Sequence, residues 1–131
     1  MRTLAYSKPK PAGGSQLWAW VFMRISGIAL LVLALGHLVI MHLVNNVDTI
    51  DYNFVAGRYA GWGWRGYDLA LVLLAMLHGL NGAKILIDDY VHPPAARKLA
   101  TALLHLIGGG FLLLGVFVIL FFKPVTGGMS P

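Results

Sequence analysis

Apolar residues fall into three long runs, at about 17–44, 67–90 and 98–122, with polar residues gathered between and beyond them. Each run reaches the ~20 helical residues needed to cross ~30 Å of hydrocarbon. Helices pair all their backbone groups internally, which strands in lipid achieve only by closing a barrel. The pattern therefore predicts an all-α integral membrane fold with three transmembrane helices over 17–123. A polar arm over 1–16 precedes them and a short tail over 124–131 follows. The arm lacks the apolar core and small-residue cleavage site of a signal peptide. Its Lys8-Pro9-Lys10-Pro11 and Gly13-Gly14 predict a flexible segment.

Composition agrees with lipid as the solvent. Apolar residues make up 58% and charged residues 11%, against roughly 25% charged in soluble domains. No cysteine is present, which excludes disulfides, thiolate zinc sites and cysteine-held iron–sulfur clusters. The net charge of +5 comes from bases scattered at the ends of apolar runs, so it predicts a membrane rim and no nucleic-acid partner. Arg2, Lys8, Lys10, Arg97 and Lys98 stand on one side, with Lys84 just inside the membrane. Arg58, Arg65 and Lys123 stand on the other, offset by Asp48 and Asp51. That bias predicts the N-terminus inside. Trp18, Trp20, Trp62 and Trp64 fall near the expected interfaces.

A polar residue within a span is costly and is a functional candidate by default. The second run holds His78, Asn81, Lys84, Asp88, Asp89 and Tyr90. At helical spacing His78, Gly82, Ile85 and Asp89 share a face, with Ala75 and Gly79 beside it. Small residues next to an imidazole let a flat group such as haem lie on the backbone, or they permit close helix packing with His78 hydrogen-bonded across. Both readings stay open at this point. Asp89 and Tyr90 follow His78 by eleven and twelve residues, so they lie about 16–18 Å nearer the inner surface. There Tyr90 is either a hydrogen-bond donor to a quinone carbonyl, with Asp89 relaying protons, or an ordinary interfacial tyrosine before His92-Pro93-Pro94 stops the helix. Arg24, in Arg24-Ile25-Ser26-Gly27, either snorkels to headgroups or grips a haem propionate or quinone. By depth it is expected close to Tyr90. His37 lies nearer the outer surface than His78, and His42 falls at the outer interface. His105 shares a face with Thr101 and Gly108. Structural roles are expected for these three.

The second run, with His78, Gly82, Asp89 and Tyr90 at these spacings, resembles the D-type membrane-anchor subunit of succinate dehydrogenase (complex II), and Arg24-Ile25-Ser26-Gly27 resembles the Arg-x-Ser/Thr signature early in such anchors. The resemblance covers nearly the whole chain. Residues 22–28 and 50–55 look closest to the bacterial, menaquinone-reducing branch. Met23 stands where the partner C-type anchor commonly has histidine, which fits the D-type. The second acid, Asp88, is a departure.

The resemblance implies that His78 is an axial ligand of haem b iron, shared with the second anchor, and that Tyr90, Asp89 and Arg24 serve a quinone site. Arg24, Ser26, Gly79 and Gly82 would surround the haem and its propionates. The implied partners are a flavoprotein subunit, an iron–sulfur subunit and the C-type anchor, in one helical bundle in the bacterial cytoplasmic membrane. A trimer of such heterotetramers is compatible with it. This chain would contribute no catalytic residue of succinate oxidation. The rivals are a fumarate reductase anchor, a membrane scaffold, and a self-contained b-type cytochrome.

Overall fold

The computed structural model describes residues 13–123. Nearly all of the predicted arm and the whole of the tail lie outside these residues, and Arg2, Lys8 and Lys10 with them.

Helix α1 covers Ser15–Val39 and continues into a wider, π-helical turn at Ile40–Val44. That turn is closed by Asn45, whose backbone N–H and side-chain Nδ2 both donate to the Ile40 carbonyl, at 3.0 and 2.7 Å. After a 3₁₀ turn at Val47–Thr49 comes a short helix, α2, over Tyr52–Arg58. The apolar pattern did not predict it. Asp51 caps it, accepting the Phe54 N–H at 2.8 Å, one of the donors that a helix start leaves unpaired. Helix α3 runs over Trp62–Tyr90 and α4 over Pro94–Phe121. Both start before their apolar runs do, at 62 rather than 67 and at 94 rather than 98. The reason for α4 is Pro94, whose ring presets the helical φ at a position that needs no N–H. The Pro93-Pro94 pair thus ends one span and starts the next. Three helices, α1 with its π turn, α3 and α4, are long and apolar enough to cross a membrane.

Side-chain register shows the packing to be antiparallel. Met23 meets Gly82, Ser26 meets His78, and Leu33 meets Tyr67. Between α3 and α4, Val72 meets Gly115 and Leu80 meets Gly108. One number falls as the other rises, so the start of α1, the end of α3 and the start of α4 share one membrane face. We call this the N-side and the opposite face the far side. At Gly108 only hydrogen fits, because a Cβ would run into the Leu80 side chain.

Burial is inverted relative to a soluble domain. The buried residues among those described are Ser26, Arg58, Asp68, Gly108 and Ile119. Leucines, valines and phenylalanines line the outside, where lipid tails or neighbouring helices meet them. The polar groups hold the interior.

Candidate functional site

The site is built where α1 crosses α3 on the N-side half of the molecule. Ser26 is 1% exposed, and its Oγ lies 2.8 Å from His78 Nδ1 and 3.4 Å from the Met23 carbonyl. The hydroxyl has one proton, and the carbonyl can only accept. In the tautomer with the ring proton on Nδ1, the serine oxygen accepts Nδ1–H and Nε2 keeps its lone pair. Gly27 completes the seat: a Cβ there would stand 3.5 Å from His78 Cε1, so the bare backbone lets the ring lie close. Gly79 has open space on its Cβ side, and Gly82 closes against Met23. The imidazole is thereby oriented from α1, while the Ala75 and Gly79 side of α3 stays exposed.

A histidine held through one ring nitrogen, with its other nitrogen unprotonated, is the donor arrangement of a metal-bound imidazole. The oriented imidazole and the exposed small-residue side of α3 are chemistry that fits haem iron.

Arg24 does not join Tyr90. Its guanidinium lies over the Trp20 ring at 3.9 Å. The α1–α3 register, with Met23 opposite Gly82 and Ser26 opposite His78, sets Arg24 level with about Leu80. Tyr90 is ten residues further on, about 15 Å toward the N-side. Leu80 marks the level of the Arg24 backbone; the guanidinium reaches one turn further toward the N-side, because Trp20, on which it lies, lines a groove with Lys84, Ile85 and Asp88. The charged end of Arg24 is thus nearer the level of the α3 end than its backbone is.

At the end of α3 the two acids part company. Asp88 is engaged by Lys84 at 2.5 Å, one turn back on the same helix. Asp89 and Tyr90 are both exposed, Tyr90 at 76%, and make no polar side-chain contact among the described residues. Spacing had favoured Asp89 over Asp88 as the carboxylate beside Tyr90, and the Lys84 pairing gives Asp88 other employment.

The far side holds a second polar cluster that sequence reasoning missed. Arg58 grips Asp68 in two-pronged fashion, Nη2 to Oδ1 at 2.9 Å and Nε to Oδ2 at 3.3 Å, with both residues buried. The Trp64 ring covers the guanidinium at 4.0 Å, and His37 Nδ1 lies 3.9 Å from Asp68. The His37 ring stacks on Tyr67, whose hydroxyl donates to the Leu33 carbonyl at 2.6 Å. Burial, and after it the Asp68 carboxylate, raises the Tyr59 phenol above its ordinary value, so it stays a neutral donor. Arg65 donates to the carbonyls of Tyr59, Ile119 and Phe122 at 2.8, 2.6 and 2.7 Å. Two signals were available: Asp68 is a carboxylate inside an apolar run, and Arg58 precedes it by ten residues.

His105 donates Nδ1–H to the Thr101 carbonyl at 2.7 Å within its own helix, but it is exposed, whereas Gly108 is buried. Within the continuous helix the two still stand one turn apart, Gly108 against Leu80 and His105 bonded to Thr101. No group of three or more metal-ligating side chains occurs among the described residues.

The family model described as succinate dehydrogenase/fumarate reductase transmembrane subunit matches residues 6–117. No curated protein matches the chain.

Proposed function

Because this chain belongs to the succinate dehydrogenase/fumarate reductase transmembrane subunit family, we propose that it is the D-type anchor of a succinate:quinone oxidoreductase. In this reading His78 is one axial ligand of haem b, and the end of α3 is part of the quinone site. The observation that carries it is the Ser26–His78 hydrogen bond, which orients the imidazole through Nδ1 and leaves Nε2 without a protein partner. Haem bound there supplies a one-electron relay. Arg24, its guanidinium on the N-side of His78, is the residue to pair with a propionate or to hold the quinone headgroup, since guanidinium matches carboxylate in two-pronged fashion.

The quinone, by preference menaquinone, sits at the N-side. Tyr90 donates a hydrogen bond to a quinone carbonyl, and Asp89 passes protons from water to the reduced oxygens. Two electrons arrive through a flavoprotein and an iron–sulfur subunit, and two protons complete the quinol. The second haem ligand comes from a C-type anchor.

The N-side is the cytoplasmic side of a bacterial inner membrane. What supports this is the bias of basic residues beside the spans, with Arg2, Lys8, Lys10, Arg97 and Lys98 against Arg58, Arg65 and Lys123.

The test is a reduced-minus-oxidised spectrum of the purified native complex, with its subunits identified on the same sample. A b-type signal with a flavoprotein and an iron–sulfur protein supports the reading; neither signal nor partners rejects it.

Tyr90→Phe removes one hydroxyl and little volume. Losing a general acid–base or positioning group of this kind costs typically about 10²-fold. Quinone reduction should fall by about that much while succinate oxidation by a soluble artificial acceptor stays at the wild-type rate. Equal losses in both assays would place the defect in assembly instead.

A further inference from the structure

Asn81 stands on α3 between His78 and Lys84, on the wall of a groove of about 410 Å³ between α1 and α3. Trp20 and Met23 line the groove from α1, and Lys84 and Asp88 line it from α3. The amide nitrogen of Asn81 is buried and has no hydrogen-bond partner among the described residues. Burying an amide unpaired is costly, and nearly all such groups in native proteins find a partner. The polar neighbours are already engaged. Lys84 and Asp88 hold each other, and Ser26 is bonded to His78 and the Met23 carbonyl.

The orphaned atom carries hydrogens, so its missing partner is an acceptor. The charge nearby favours an anionic one. Arg24 lies on the Trp20 ring, part of the same wall, and has no carboxylate partner among the described residues. Depth narrows the choice of ligand. Asn81 follows His78 by three residues, about 4.5 Å along the axis, on the adjoining part of the helix surface. Tyr90 is nine residues beyond Asn81, about 13.5 Å further, a gap that one quinone ring does not bridge. The ligand within reach of both His78 and Asn81 is haem, whose anionic acceptors are its propionates.

We propose that Asn81 donates Nδ2–H to a haem propionate and so holds the haem edge beside the His78 ligand. This role rests on His78 holding haem, and adds to it a residue on the same helix. A donor to the ionised propionate offsets part of its negative charge, which favours ferrous iron and raises the haem potential.

The experiment compares the native complex of wild type, His78→Ala, Asn81→Leu and Asn81→Asp by redox titration of the b-type absorbance, with haem content measured on the same samples. Hydrogen bonds to charged groups contribute on the order of ten- to hundred-fold in affinity, so Asn81→Leu should hold haem about ten-fold or more weakly. The haem that remains should titrate at a lower potential. Asn81→Asp keeps the size of the side chain and carries the comparison if leucine disturbs assembly. Its potential should be lower still, and should fall further as rising pH ionises the new carboxyl. A packing role would leave the potential of both variants at the wild-type value, and that result overturns the proposal. A raised potential in Asn81→Asp overturns it too, because negative charge beside a propionate favours ferric iron. Either result leaves the haem ligand standing as long as His78→Ala removes the signal. A wild-type complex without a b-type signal rejects the ligand and the role of Asn81 together.

Discussion

His78→Ala should abolish the b-type absorbance of the assembled complex while leaving α1–α3 packing largely in place. As the proposed haem ligand, His78 would be the residue that holds iron to this chain, and no other described histidine stands at that depth. His37 lies at the far side, stacked on Tyr67 with its buried Nδ1 3.9 Å from Asp68 and without a hydrogen-bond partner, and His105 is turned away on α4. Ser26→Ala makes the sharper companion. It deletes the partner of Nδ1 without touching the ligand, and outer-shell losses of this kind cost typically 10–100-fold in metal affinity. The haem should be retained more weakly, with a shifted spectrum, and Ser26→Thr should restore both. If His78→Ala left the spectrum unchanged, the ligand assignment would fail. If Ser26→Ala behaved as wild type, the serine would be a packing residue only.

The second large effect is expected at Arg58. Arg58→Met leaves Asp68 buried without its cation, and breaking one side of a buried pair costs about 3–5 kcal/mol. Thermal unfolding of the purified complex should shift accordingly. Converting Asp68→Leu as well should recover much of the loss, because an apolar pair of similar volume is often no worse than the ion pair. The haem spectrum should stay constant throughout, since Asp68 lies ten residues along α3 from His78, about 15 Å away. A single variant as stable as wild type would show that the pair contributes nothing. A double variant no better than the single would point to the packing of α2 rather than to charge.

The spans were legible in one dimension because lipid responds to hydropathy, and hydropathy is what the sequence displays directly. His78 was legible for the same reason, as a polar residue where polarity is costly. Ser26 stood out only within Arg24-Ile25-Ser26-Gly27; its bond to His78 depends on the register between helices fifty-two residues apart, which no local pattern encodes. Asp68 escaped notice because it sits at the edge of an apolar run and resembles an ordinary interfacial acid. Arg58 was counted as a loop charge because nothing apolar announces α2. Only the return of α2 against α3, started by the Asp51 cap, turns two apparent surface charges into a buried pair.

Arg65 gives the α3–α4 pair a property of its own. A single guanidinium from the start of α3 serves carbonyls at the end of α4, groups that a helix terminus otherwise leaves unpaired. Pro93-Pro94 joins the same two helices at the opposite membrane face. The pair is therefore a hairpin fastened at both ends, able to settle in the bilayer as one piece. Docking of α1 then becomes a separate event, and that event brings Ser26 to His78.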